Sequence, residues 1–128
     1  MPALHKIMLV EDDADIMAIT RMALEMIGGF SVAACENGIA ALAAAPSERP
    51  DLILLDVMMP GLDGPATLEA LRALPETART PVIFMTAKSQ AHEIAHYRAL
   101  GALDVIRKPF DPVTLPDVVR RIWEGGHE

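Results

Sequence analysis

LLDVMMPGLDG, residues 54–64, is the stretch that decides the fold. The apolar run Leu52-Ile53-Leu54-Leu55 leads straight into Asp56, and Val57, two methionines, a proline and a glycine follow. Continuous rather than alternating apolarity suits a strand covered on both faces, as in a parallel sheet. Such a strand has no obvious reason to end on a carboxylate where the chain must turn, since burying a charge is costly unless it is paired. Asp56 either caps the strand or is held there to react.

Outward from this stretch, similar short runs recur: Ile7-Met8-Leu9-Val10, Val82-Ile83-Phe84-Met85 and Val105-Ile106, with Phe30–Ala34 weaker and more alternating. Helical patterns lie between them. Ile16, Ile19, Ala23 and Met26/Ile27 recur at helical spacing from Ala14, and Gly28-Gly29 stops that helix. Asn37 suits the cap of a second helix through Ala45, ended by Pro46; a third is expected over 65–74 and a fourth over 89–100, stopped by Gly101. Thr114 is a candidate N-cap for the last, which tolerates Pro116 in its first turn and gathers Leu115, Val118, Val119 and Ile122 on one face. A βα unit repeated five times implies a parallel sheet with right-handed crossovers. Five units are too few for a closed eight-stranded barrel. The fold class expected is α/β, an open doubly wound sheet in one domain over residues 1–128, with no linker and no output domain.

Composition narrows the function. The 128 residues are 52% hydrophobic, enough for a real core. A formal charge of −7 without a Lys/Arg block argues against a nucleic-acid surface. Cys35 is the only cysteine, so no internal disulfide forms and a reducing compartment fits. MPALHKIMLVEDD has too short an apolar part for a signal peptide, and no apolar stretch reaches the roughly 18 residues of a membrane span. The protein is expected to be cytoplasmic.

In open α/β sheets, ligands bind outside the carboxyl ends of the strands. Glu11, Asp12 and Asp13 follow Val10; Asp56 follows Leu55; Thr86 follows Met85; Lys108 follows Ile106 and Arg107. Taken singly, each is an ordinary strand-end or solvated residue, and Asp13 and Asp15 suit a helix N-terminus. Together they bring carboxylates, a hydroxyl and an ammonium to one edge. Two carboxylates about 4 Å apart repel by roughly 4 kcal/mol at an effective dielectric near 20. A hard dication such as Mg2+ relieves this through oxygen ligands, and commonly binds one or two carboxylates plus a phosphate. Asp56 then suits a carboxylate nucleophile, with the ammonium and hydroxyl stabilising a transferring phosphoryl group.

These residues resemble the receiver domain of two-component response regulators, over essentially the whole chain. The matching pieces are Met8-Leu9-Val10-Glu11-Asp12, LLDVMMPGLDG, PVIFMTA and GALDVIRKPF. In size the chain is similar to the single-domain chemotaxis regulators, which implies a stand-alone receiver with the flavodoxin-like strand order 2-1-3-4-5. The resemblance makes Asp56 the phosphoacceptor, Glu11 and Asp12 the acid pair, and the Met58 backbone carbonyl a third protein ligand of Mg2+, with Mn2+ as a substitute. It makes Thr86 the switch hydroxyl, Ala87 the small residue whose backbone faces the phosphoryl group, and Lys108 the lysine of the family motif, followed by a cis peptide to Pro109. The implied donor is a histidine kinase or a histidine phosphotransfer protein. The implied output is a protein contact through the fourth helix, fifth strand and fifth helix, with His96, Tyr97, Val105, Arg107 and Arg121 as candidates, in a monomer or a phosphorylation-dependent homodimer.

Some positions depart from that pattern. Val105 stands where many receivers carry an aromatic residue, so the signal is expected to pass through loop shifts around Thr86 or through dimerisation. Met58 and Lys88 occupy the two positions that tune phosphoryl lifetime, and a thioether orients an attacking water poorly. Gly61 and Gly64 suit a turn after Asp56, and Met58 and Met59 suit loop-to-core packing. His92 and His96 read as solvated helix residues rather than a metal pair, and Tyr97 and Trp123 as residues straddling core and surface. A phosphohydrolase using an aspartyl phosphate is the competing enzyme reading, and it is disfavoured because Met58 stands where a second acid belongs. A non-phosphorylated binding module is the other, opposed by the intact acid pair, Asp56, Thr86 and Lys108. A DNA-binding output is not expected, since only residues 124–128 follow Trp123.

Overall fold

Parity along the strands accounts for the continuous apolar runs. The structure, a computed structural model, describes residues 3–125, so the tail residues 126–128 read above lie outside the described part. The strands are β1 (Lys6–Val10), β2 (Ser31–Cys35), β3 (Leu52–Asp56), β4 (Val82–Thr86) and β5 (Asp104–Arg107). They form one parallel sheet in the order β2-β1-β3-β4-β5, the flavodoxin-like arrangement. Met8, Val10, Ile53, Leu55, Val82 and Phe84 face one core; Ile7, Leu9, Leu52, Leu54, Ile83 and Met85 face the other. Side chains alternate across a strand, so a strand buried on both faces must be apolar throughout.

The helices are α1 (Ala14–Met22), α2 (Gly38–Glu48), α3 (Gly64–Arg72), α4 (Ala91–Ala99) and α5 (Leu115–Gly125). Ala41, Ala45, Leu68, Leu71 and Tyr97 of α2, α3 and α4 cover the first face; Leu115, Val119 and Trp123 of α5, with Leu24, cover the second. α1 runs on into a π-helical turn, Ala23–Ile27, and stops at Gly28-Gly29 as its sequence requires. There Phe30 donates to the Leu24 carbonyl at 3.0 Å and Gly29 takes φ +74°, the left-handed conformation that glycine adopts freely. Among the described residues no helix is long and apolar enough to cross a membrane.

Three local expectations are corrected. Pro46 does not end α2, which continues to Glu48 and closes on Arg49 at φ 45°. In the last turn a proline removes one backbone donor only, and the Arg49 N–H reaches the Ala45 carbonyl at 3.1 Å beyond it. Thr114 does stand at the N-cap position, directly before α5 with its carbonyl accepting from the Val118 N–H at 3.1 Å, but its hydroxyl donates back to the Asp111 carbonyl at 3.3 Å instead of making the capping bond. That carbonyl also takes the Leu115 N–H at 3.0 Å, so the preceding turn supplies the acceptor. Tyr97 and Trp123 are buried outright.

Candidate functional site

The strand order places β1 beside β3, β3 beside β4 and β4 beside β5. The residues that end these strands therefore line up along one edge in the same order: Glu11 and Asp12, then Asp56, Thr86 and Lys108. Connections that leave β1 in one direction and return across it to β3 open a crevice between those two strands. Here the carboxylates of Glu11, Asp12 and Asp56 each offer an oxygen, all within 4.8 Å of one another. Glu11 and Asp56 are buried and Asp12 is exposed at the rim.

Lys108 ties the buried pair together. Its Nζ lies 2.7 Å from Glu11 Oε2 and 3.2 Å from Asp56 Oδ1. Glu11 Oε1 accepts a second hydrogen bond, 3.3 Å from the Asp13 backbone N–H. Asp13 in turn caps α1, accepting from Asp15 N at 2.9 Å and Ile16 N at 3.0 Å. Thus Asp13 and Asp15 do the helix-terminus work expected of them, while Glu11 turns inward. The Lys108–Pro109 peptide is cis, as the resemblance implied. The Lys108 N–H donates to the Thr86 carbonyl at 2.9 Å, which fixes the end of β5 against the end of β4.

One ammonium does not balance this charge. Asp56 is only 4% exposed, and its pKa is pushed up to about 6 by burial first and the nearby Glu11 second, with Lys108 pulling the other way. Burial opposes the charge on Lys108 too, yet the hydrogen bond to Glu11 and the fields of Asp56 and Glu11 outweigh it and hold the ammonium above its ordinary range. The donor set is all oxygen, and the repulsion left over is the kind a hard dication relieves. The residues present therefore fit Mg2+.

The loop after Asp56 is held close. The Val57 N–H donates to the Met85 carbonyl at 3.1 Å, and the Gly64 N–H to the Val57 carbonyl at 2.9 Å. A Cβ on Gly64 would sit 2.6 Å from the Asp56 carbonyl oxygen and 2.7 Å from Val57 Cα, so no larger residue fits unless the loop moves. Gly61 takes φ +75° and supplies the turn. The two methionines divide. Met59 is buried, as expected, but Met58, two residues past Asp56, is 63% exposed and not packed on the core.

Thr86 is buried at the end of β4, and its Oγ1 accepts from the Lys88 N–H at 3.0 Å. Ala87 and Lys88 are exposed beside it. Two features escaped the sequence reading. An apolar cavity of about 330 Å³ adjoins Lys108 and Ala87, lined also by Ile16, Ile19, Pro109, Phe110 and Pro112. The burial of Tyr97 is the other, and it removes that residue from the expected output surface. His96, Arg107 and Arg121 are exposed and Val105 is half-buried. His92 is exposed, as a solvated residue should be.

Comparison with known proteins agrees with this geometry. The response regulator receiver domain family matches residues 7–120. The chain belongs to that family. Among curated proteins it is 36% identical over 116 residues to the transcriptional regulatory protein CseB of Streptomyces coelicolor, covering 91% of this chain and 48% of CseB. It is 39% identical over 124 residues to the transcriptional regulatory protein CpxR of Escherichia coli K12, covering 97% and 51%. The chain thus spans about half the length of these relatives. Among solved structures, the chemotaxis protein CheY4 of Vibrio cholerae superimposes with a TM-score of 0.85 at 30% identity, covering 94% of this chain and 99% of that one. The receiver domain of the sensor histidine kinase PA1611 of Pseudomonas aeruginosa, solved with a magnesium ion in its active-site cleft, superimposes with a TM-score of 0.80 at 28% identity, covering 98% and 100%. Receiver domains are signalling modules that histidine kinases phosphorylate and that bind Mg2+ in an acidic site.

Proposed function

We propose that this receiver is a Mg2+-dependent phosphoacceptor switch in the cytoplasm, with Asp56 as the residue phosphorylated. The observation that carries the reading is the placement of Asp56: a buried carboxylate ending β3, within 3.2 Å of the Lys108 ammonium and beside the acid pair Glu11 and Asp12. The donor is a histidine kinase or a histidine phosphotransfer protein. Asp56 Oδ forms the new O–P bond as the P–N bond to the donor imidazole breaks, and the electron pair returns to the ring nitrogen. Burial and Glu11 raise the pKa of Asp56 to about 6, still below pH 7, so the carboxylate is the form available as the nucleophile. Glu11, Asp12, Asp56 and the Met58 carbonyl hold Mg2+, or Mn2+ in its place. When bound, the ion neutralises charge on the phosphoryl oxygens as it transfers. Lys108 neutralises a second share of that charge, the Thr86 hydroxyl donates to a phosphoryl oxygen, and the small Ala87 leaves its backbone open to the group. The domain catalyses only its own phosphorylation and dephosphorylation.

The exposed Met58 and Lys88 support a long-lived phosphoryl group, because neither side chain orients an attacking water as a carboxamide does. Phosphorylation then favours the arrangement that binds Asp56 phosphate better, and a downstream protein reads it on the α4–β5–α5 face through His96, Val105, Arg107 and Arg121. The chain works as a stand-alone receiver, monomeric or dimerising on phosphorylation. An immunoblot of source cells tests the stand-alone part, since a band larger than 128 residues would overturn it.

Intact-protein mass spectrometry after incubation with acetyl phosphate tests the switch itself. One phosphoryl adduct that requires Mg2+ and disappears in Asp56→Asn is the expected result. No adduct from acetyl phosphate or from any phosphohistidine donor would leave a binding module instead.

A further inference from the structure

Helix α4 buries one side chain, that of Tyr97, beside a half-buried Ile94 and an ion pair from Arg98 to Asp104 of β5 at 2.8 Å. α3, by comparison, buries Thr67, Leu68 and Leu71, and α5 buries Leu115, Val119 and Trp123. The Tyr97 ring meets Phe84 edge to face, with centroids 5.4 Å apart and planes at 67°. Phe84 lies on β4, two residues before Thr86, and pairs in register with Val105 on β5. Valine at that position leaves Tyr97 as the aromatic partner of Phe84.

On its other side Tyr97 borders a cavity of about 570 Å³ that it shares with Val57, Met58, Pro60, Lys88 and His96. Cavities of this size hold whole small ligands, so an aromatic ring has ample room. The same residue therefore touches β4 through Phe84 and faces the loop that follows Asp56. The β4–α4 loop closes the circuit. Thr86 Oγ1 now accepts from the Lys88 N–H, and a hydroxyl that turned to donate toward Asp56 would release that turn and the start of α4 with it.

We propose that Tyr97 carries the state of Asp56 to helix α4, by moving between its seat on Phe84 and the adjoining cavity. The proposal rests on the phosphoacceptor reading and adds the element that responds. Packed interiors switch between discrete arrangements rather than deforming continuously, and a ring with two places to sit is such an element. Helix α4, whose one fully buried side chain is that ring, loosens when it leaves.

The chain contains a single tyrosine, so 3-fluorotyrosine labelling of the full chain gives one 19F resonance, that of Tyr97. The spectrum is recorded in EDTA and then with acetyl phosphate and Mg2+, with the adduct counted by intact mass. A second resonance is expected to grow with the phosphorylated fraction and to be absent in Asp56→Asn. Phe84→Leu is expected to displace the unphosphorylated resonance and leave the phosphorylated one in place, because only the first state has the ring on Phe84. Phe84→Leu empties part of the core, so hydrogen exchange of amides 91–99 in the unsubstituted chain is a second readout, expected to quicken several-fold on phosphorylation. A verified adduct with a stationary resonance and unchanged exchange overturns the Tyr97 proposal alone. Equal displacement of both resonances by Phe84→Leu also overturns it. No adduct at all overturns the phosphoacceptor reading, and this proposal falls with it.

Discussion

Replacing Asp56 with asparagine should make the metal-free protein more stable at neutral pH, although Asp56 is the centre of the site. The carboxyl has an ordinary pKa of 3.8 and is raised to about 6 in the fold. Between those values the native state keeps a proton that the unfolded state has released. Stability therefore falls as pH rises through that window, and the loss is complete above about pH 7. The difference of about 2 units corresponds to about 3 kcal/mol at pH 7.5 and about 1 kcal/mol at pH 4.5. Asparagine mimics the protonated acid in shape and lacks the charge, and its Oδ1 can still accept from Lys108. Urea unfolding followed by the fluorescence of buried Trp123, the sole tryptophan, measures the gap. In EDTA at pH 7.5 the variant should exceed the unsubstituted protein by 2–3 kcal/mol, on the order of the ionisation penalty. The gap should shrink by more than half at pH 4.5, and Mg2+ at pH 7.5 should narrow it by stabilising the unsubstituted protein more. An asparagine variant less stable than its parent at pH 7.5 in EDTA, or a gap that does not shrink on acidification, would refute the claim that Asp56 is a buried, under-compensated charge.

The other predictions address the neighbours of Asp56. Lys108→Met removes charge-assisted hydrogen bonds of roughly 1.5–3 kcal/mol each, so the phosphorylation rate by acetyl phosphate, read by intact mass, should fall by about 10- to 150-fold. Gly64→Ala forces a Cβ against the Asp56 carbonyl; urea unfolding should show a loss of about 1–3 kcal/mol, and phosphorylation should slow as the loop shifts. Met58→Asn places a carboxamide at an exposed position two residues past Asp56; the phosphoryl group, isolated and timed without a partner, should decay about tenfold faster, a barrier change of about 1.4 kcal/mol. A lifetime already short and unchanged by Met58→Asn would show that this position does not protect the phosphoryl group.

Much of this was legible because the residues that place the site also form the strands. Leu52–Leu55 and Val82–Met85 declare buried parallel strands by composition alone, and each is followed at once by a polar residue that the topology then gathers to one edge. The sequence does not show which acid turns inward. Glu11 and Asp12 read alike, and only the contact with Lys108, 97 positions away in the chain, separates the buried one from the exposed one. Pro46 misled because a proline ends a helix only when its missing donor and its ring fall where the backbone cannot spare them. Tyr97 was misplaced for a related reason. Ala91–Ala99 has little apolar periodicity to say which face is inward, and a single aromatic residue decides it by packing on Phe84.

The instability predicted for Asp56 and the reactivity proposed for it have one cause. A carboxylate well paired by a second ammonium would be more stable and lower in pKa, but it would be a weaker nucleophile and would leave less charge for a dication to balance. An isolated carboxyl in a wholly apolar pocket would stay protonated at pH 7 and could not attack phosphorus at all. Lys108 at 3.2 Å from Asp56 and 2.7 Å from Glu11 sits between these limits, ionising Asp56 near neutrality without satisfying it. The same residual repulsion favours a dication such as Mg2+, and on the proposed reading the ion and Lys108 would share the charge of an incoming phosphoryl group. Stability at this edge should therefore rise when Asp56→Asn removes the under-compensated carboxylate, and phosphorylation should fall with the same substitution. If stability and phosphorylation fell together in Asp56→Asn, Asp56 would be part of a structural ion-pair network and not an under-compensated reactive carboxylate.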